Sequence, residues 1–107
     1  MARRVSWLLG GMFWIAGAVS AMAEPLPAGL TTGQALPFEG VTRTYDVYVP
    51  PAAADGEPRP LVLDLHGFTS FSAQQRSFSG WLALAEQEGI AVAWPNAIEG
   101  AWGVPPF

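Results

Sequence analysis

The pattern with the clearest chemical content is the dipeptide His66-Gly67, which closes the apolar run Leu61-Val62-Leu63-Asp64-Leu65. In open α/β sheets, ligands gather outside the carboxyl ends of the strands, so this dipeptide is the first candidate for a site. A glycine there lets the chain turn sharply and bring backbone N–H groups toward a bound carbonyl, which is one half of an oxyanion hole. The donor would be the N–H of Phe68, with His66 orienting the loop rather than abstracting a proton. His66 is the sole histidine and the chain has no cysteine. A histidine or thiolate metal cluster and a thiol nucleophile are therefore excluded, and no metal or cofactor is implied. On residue type alone, a lone histidine bonded to backbone is the default reading.

Other polar residues are weaker candidates. Ser70, Ser72 and Ser79 follow the dipeptide, but without a base each is a loop or cap residue. Glu86 and Glu88 stand two apart and do not face one another on a helix, so no acid–base dyad is implied. Asp64 interrupts an apolar run and reads as a satisfied structural carboxylate. Trp94 and Trp102 could form an aromatic platform near the strand ends, with core packing the simpler use of Trp94 and substrate contact a candidate role for Trp102.

These residues need elements to position them. Residues 24 to 34, with Pro25, Pro27, Gly29 and Gly33, read as an extended leader. Ala35 to Phe38 and Thr42 to Val49 flank Glu39-Gly40, a hairpin turn. Arg43, Tyr45, Val47 and Val49 fall on one face of the second strand and Thr44, Asp46 and Tyr48 on the other, one face buried and one semi-polar. Pro50-Pro51 ends it, and a surface loop to Arg59 turns at Asp55-Gly56. Leu61 to Leu65 has the near-continuous apolar character of a central strand covered on both faces. A loop from Gly67 to Gly80 follows. Trp81 to Glu88 then predicts a helix, capped by Gly89 and started by Ser77 or Ser79. Ile90 to Trp94 predicts another buried strand, stopped by Pro95-Asn96. Strand, helix, strand in that order implies a right-handed parallel crossover.

The first 23 residues are of another kind. Arg3 and Arg4 precede an uncharged run from Val5 to Ala23 that closes on Ala21-Met22-Ala23, the layout of a secretory signal peptide. Cleavage after Ala23 would leave Glu24 as the first residue and export the product to the periplasm or beyond. The membrane would be met only through this segment. An uncleaved anchor is the alternative, although Gly10, Gly11 and Gly17 lower the hydrophobicity of the run. The remainder holds Arg43, Arg59 and Arg76 against all nine acidic residues. An acidic product without a basic stripe lacks the electrostatic footprint of nucleic-acid binding.

Four segments together resemble the polyhydroxybutyrate depolymerase-like and feruloyl-esterase-like secreted esterases of the α/β-hydrolase superfamily. They are Arg43-Thr-Tyr-Asp-Val-Tyr-Val-Pro50, Pro60-Leu-Val-Leu-Asp-Leu-His-Gly67, Ser79-Gly-Trp81 with Ala85 and Gly89, and Ala91-Val-Ala-Trp-Pro-Asn96, within residues 35 to 102. The resemblance implies an α/β sheet whose oxyanion loop is His66, Gly67 and Phe68. It also implies an ester substrate, of polymer, glycan or small-molecule type, attacked by a serine in a Gly-x-Ser-x-Gly elbow with a later aspartate and histidine. No serine of this chain has glycine at both flanking positions, and no second histidine exists. The expectation is thus an incomplete α/β-hydrolase domain over residues 35 to 107, its hairpin, central strand, crossover helix and strand present and its nucleophile, acid and base missing. The alternative is a non-catalytic exported binding or structural module.

Overall fold

A computed structural model describes residues 25–51 and 58–103. The predicted signal segment with Ala21, Ala23 and Glu24, and the Asp55-Gly56 turn, lie outside the described residues.

The described elements run β1 (Gly29–Phe38), β2 (Val41–Val49), β3 (Leu61–Leu63), α1 (Ser72–Ser79), α2 (Trp81–Glu88) and β4 (Ala91–Pro95). They form one mixed sheet in the order β1-β2-β4-β3. β1 and β2 make the expected hairpin, with Phe38 opposite Val41. Its turn residues Glu39 and Gly40 both take positive φ, 49° and 76°. A two-residue turn of that kind matches the twist of the flanking strands. β2 pairs antiparallel with β4, and β4 pairs parallel with β3, as a strand–helix–strand crossover requires.

Several expectations are corrected. β1 begins at Gly29, so the segment read as an unpaired leader to Gln34 joins the sheet from that residue, with Gly29 opposite Val49. The register slips between Thr31 and Gln34, where Gly33 has φ 65° and its N–H donates to Asp46 Oδ1 at 2.9 Å. A buried carboxylate thus supplies the partner that a bulged strand loses on its neighbour. Secondly, residues 72 to 79, read as loop, form α1. Its composition hides it, because SAQQRSFS lacks an apolar stripe and its N-cap Phe71 offers no side-chain acceptor. Gly80, with φ 81°, ends α1 and starts α2, so neither Ser77 nor Ser79 caps α2. Gly89 does cap α2, at φ 70°, donating to the Ala85 carbonyl.

The third concerns coverage. β3, read as covered on both faces, lies at the edge of these four strands. Leu61, Leu63 and Leu65 are exposed, while Val62 packs on the core and Asp64 and His66 are buried. That core is Tyr48, Ala85, Val92 and Trp94, with Val62, Trp81, Leu82 and Ile90 against it. On β2 the expected split into a buried and a semi-polar face gives way to three consecutive buried residues, Asp46, Val47 and Tyr48. Asp46 sits there because Arg76 of α1 reaches down to form an ion pair with it. The Arg76 guanidinium also lies 5.7 Å from the centroid of the Trp94 ring.

Candidate active site

The carboxyl ends of β3 and β4 lie side by side, and the chain leaving each contributes to one cluster. From β3 come Asp64, then His66-Gly67 and the turn to Ser70. From β4 come Asn96 and a short hairpin in which Ile98 bridges Ala101.

Asp64 is buried and accepts two side-chain hydrogen bonds, from Gln75 Nε2 at 2.8 Å and Trp94 Nε1 at 2.9 Å. It ties α1 to β4 beneath the loop. This is the structural carboxylate expected, and Trp94, fully buried, is the core residue expected.

His66 is 3% exposed and both ring nitrogens are engaged. Nδ1 lies 2.7 Å from the Gly67 carbonyl oxygen, and the Ala97 N–H donates to Nε2 at 3.0 Å. A carbonyl accepts and an amide donates, so together the two contacts select the neutral ring with its hydrogen on Nδ1. Neither nitrogen is directed at a hydroxyl. In this arrangement the histidine holds its own loop and the β4 loop together.

The turn itself is closed by Ser70 N–H to the Gly67 carbonyl, 3.1 Å. Its third residue, Thr69, has φ 64°, a conformation where glycine or asparagine is usual. Phe68 is 79% exposed, and its N–H has no hydrogen-bond partner among the described residues. The N–H expected to act as a donor is therefore unpaired among the described residues, at the strand end.

The β4 loop grips this turn at several points. Thr69 N–H donates to the Gly100 carbonyl at 2.8 Å. Trp102 Nε1 donates to the His66 carbonyl at 2.7 Å, and its ring leans on the imidazole, centroids 4.9 Å apart and planes at 35°. Asn96 Oδ1 accepts from Ser72 N–H at 2.7 Å, supplying the cap α1 lacks locally, while Asn96 Nδ2 reaches Thr44 Oγ1 at 3.2 Å.

Two of the serine hydroxyls are spent on structure. Ser70 Oγ donates to Gln74 Oε1, and Ser77 Oγ to the Gln74 carbonyl. Ser79 Oγ is buried without a partner among the described residues. Glu86 and Glu88 are exposed at the end of α2. Sequence reasoning missed the Asp46–Arg76 pair and the grip of the β4 loop. A signal for the hairpin itself, though not for the loop it grips, was present, because Glu99-Gly100 repeats the dipeptide of the first hairpin turn and again takes two positive φ values, 53° and 72°.

No family model matches the chain. Over 84 residues it is 32% identical to NocK of Nocardia uniformis subsp. tsuyamanensis, a protein named as an esterase, covering 78% of this chain and 24% of that relative. Among solved structures it is similar to an S-formylglutathione hydrolase from Agrobacterium tumefaciens, at 28% identity and a TM-score of 0.54, covering 78% of this chain and 31% of that one. The chain thus spans about a quarter to a third of the length of the proteins it matches. The four-stranded sheet with its two helices is a partial α/β-hydrolase fold, and the chain is similar to esterases of that fold.

Proposed function

We propose that this chain is the oxyanion-loop portion of an exported serine ester hydrolase, resembling the polyhydroxybutyrate depolymerase-like and feruloyl-esterase-like enzymes, and that it is inactive by itself. The observation that carries the reading is the unpaired Phe68 N–H at the end of β3, on a turn held by a histidine whose two nitrogens are both committed to backbone.

In the reaction, a serine hydroxyl attacks the ester carbonyl while a base takes its proton. Negative charge gathers on the carbonyl oxygen, the alkoxide leaves with a proton, and water releases the acyl group. The Phe68 N–H stabilises the oxygen as its charge develops, and such a donor is worth about 3 kcal/mol in a preorganised site. His66 and Gly67 position that donor and take no part in proton transfer. The second donor, the nucleophile, the acid and the base come from outside this chain. The substrates are polyester, glycan-linked or small esters, and Trp102 stands beside the loop where an acyl or alcohol group would pass.

The test is the coding DNA beyond Phe107, read in three frames. A Gly-x-Ser-x-Gly elbow followed by aspartate and histidine is the expected finding. A second reading, a non-catalytic exported module, accords with Ser70 and Ser77 both bonding Gln74, and the absence of any elbow in that DNA would move it to first place.

A further inference from the structure

Resting on the ester-hydrolase reading, we infer that residues 97 to 102 are a clamp that holds the His66–Ser70 turn in its oxyanion-binding shape, with Trp102 as its positioning residue. Three separate hydrogen bonds cross from this hairpin to the turn: Ala97 N–H to His66 Nε2, Trp102 Nε1 to the His66 carbonyl, and Thr69 N–H to the Gly100 carbonyl. They reach the residues on either side of the Gly67–Phe68 peptide. The plane of that peptide decides where the Phe68 N–H points.

The turn needs such a hold. Thr69 is β-branched, and a β-branched residue at φ 64° is unfavourable enough that the surroundings must impose it. The imposing surface is Gly100. A Cβ on Gly100 would stand 3.0 Å from Thr69 Cα, so the two backbones meet at a distance only glycine allows, and Gly100 itself has φ 72°. At Gly67, by contrast, no neighbour lies within 4 Å of where a Cβ would be.

The fixed point is the His66 carbonyl. It belongs to the peptide that precedes Gly67, and Trp102 holds it by the indole N–H while its ring restrains the imidazole. Removing the N–H frees that peptide to rotate and carries the next N–H, that of Phe68, out of line. Trp102 thereby acts on the reaction through the loop it holds.

The experiment is hydrogen exchange by mass spectrometry at micromolar concentration on the full chain and on Trp102→Phe, which keeps an aromatic ring and loses the donor, with Gly100→Ala as the second variant. In the parent, peptides covering 66–72 and 96–102 are expected to show protection. In each variant both are expected to exchange at least about tenfold faster, while peptides covering β2 and β4 exchange as before. Unprotected parent loops, unchanged loops in both variants, or loops and strands accelerating together would each overturn the clamp. None of these results depends on turnover or on the coding DNA, so the clamp and the ester-hydrolase reading fail separately.

Discussion

The two faces of β3 and its continuation, one residue apart along the same backbone, have opposite fates. Val62, Asp64 and His66 turn toward α1, α2 and the β4 loop, and the two polar ones are nearly as dry as the core. Leu61, Leu63 and Leu65 turn the other way and remain exposed. Hydropathy alone would have exposed Asp64 and His66 and buried the three leucines. Burial here follows which face the helices cover, and the polar residues tolerate it because each has its partners: Gln75 and Trp94 for Asp64, Gly67 and Ala97 for His66.

The sharpest way to break that contrast is to empty the covered face. Trp94→Ala removes a fully buried ring and leaves Asp64 without one of its two donors, so a loss of about 4 kcal/mol is expected in denaturant unfolding, enough to abolish the transition in a marginal domain. Trp94→Phe that unfolds like the parent would show the indole–carboxylate bond to be dispensable. Next comes Arg76→Met, which strands the Asp46 carboxylate in a buried position and is expected to cost about 3 kcal/mol by the same measurement. The double variant Arg76→Met with Asp46→Leu should recover much of the loss, because the uncompensated charge goes with it.

A smaller effect is expected at the clamp. Gly100→Ala places a Cβ against Thr69 and forces φ 72° on a residue that resists it, so about 2 kcal/mol is expected to come off the local opening of the 66–72 and 96–102 loops, with global denaturant unfolding little changed. The smallest effect lies on the bare face. Leu61→Lys and Leu63→Lys should each change stability by no more than about 0.5 kcal/mol, since each side chain keeps more than half of its surface in water. They are nevertheless expected to shift light-scattering and size-exclusion profiles from aggregate to monomer, because an open apolar edge recruits other chains and a charge there blocks it. A parent chain that is monomeric at high concentration would contradict this part of the comparison.

Legibility in the sequence follows the same division. Elements announced by their own residues were readable: the Glu39-Gly40 hairpin, the α2 helix between Gly80 and Gly89, and the β3 and β4 strands. What depended on partners distant in sequence was not. α1 takes its N-terminal cap from Asn96, 24 positions away, so no local signal marks its start. β1 extends back to Gly29 because Asp46 satisfies a bulge in a segment whose prolines and glycines, over residues 25 to 34, read as an extended leader. Asp46 and Arg76 are 30 positions apart, on a strand and on a helix that looked like loop. Within the site, His66-Gly67 was legible because a strand end makes it conspicuous. The roles of Gly100 and Trp102 were hidden, since one turn dipeptide and one tryptophan say nothing of which loop they will meet.

The central claim is that this chain supplies one oxyanion donor and no nucleophile. It is tested most directly by treating the purified chain with a fluorophosphonate probe while following hydrolysis of a short-chain aryl ester. The account predicts no labelled serine and a rate equal to buffer. A single labelled serine, with turnover that disappears on labelling, would contradict it.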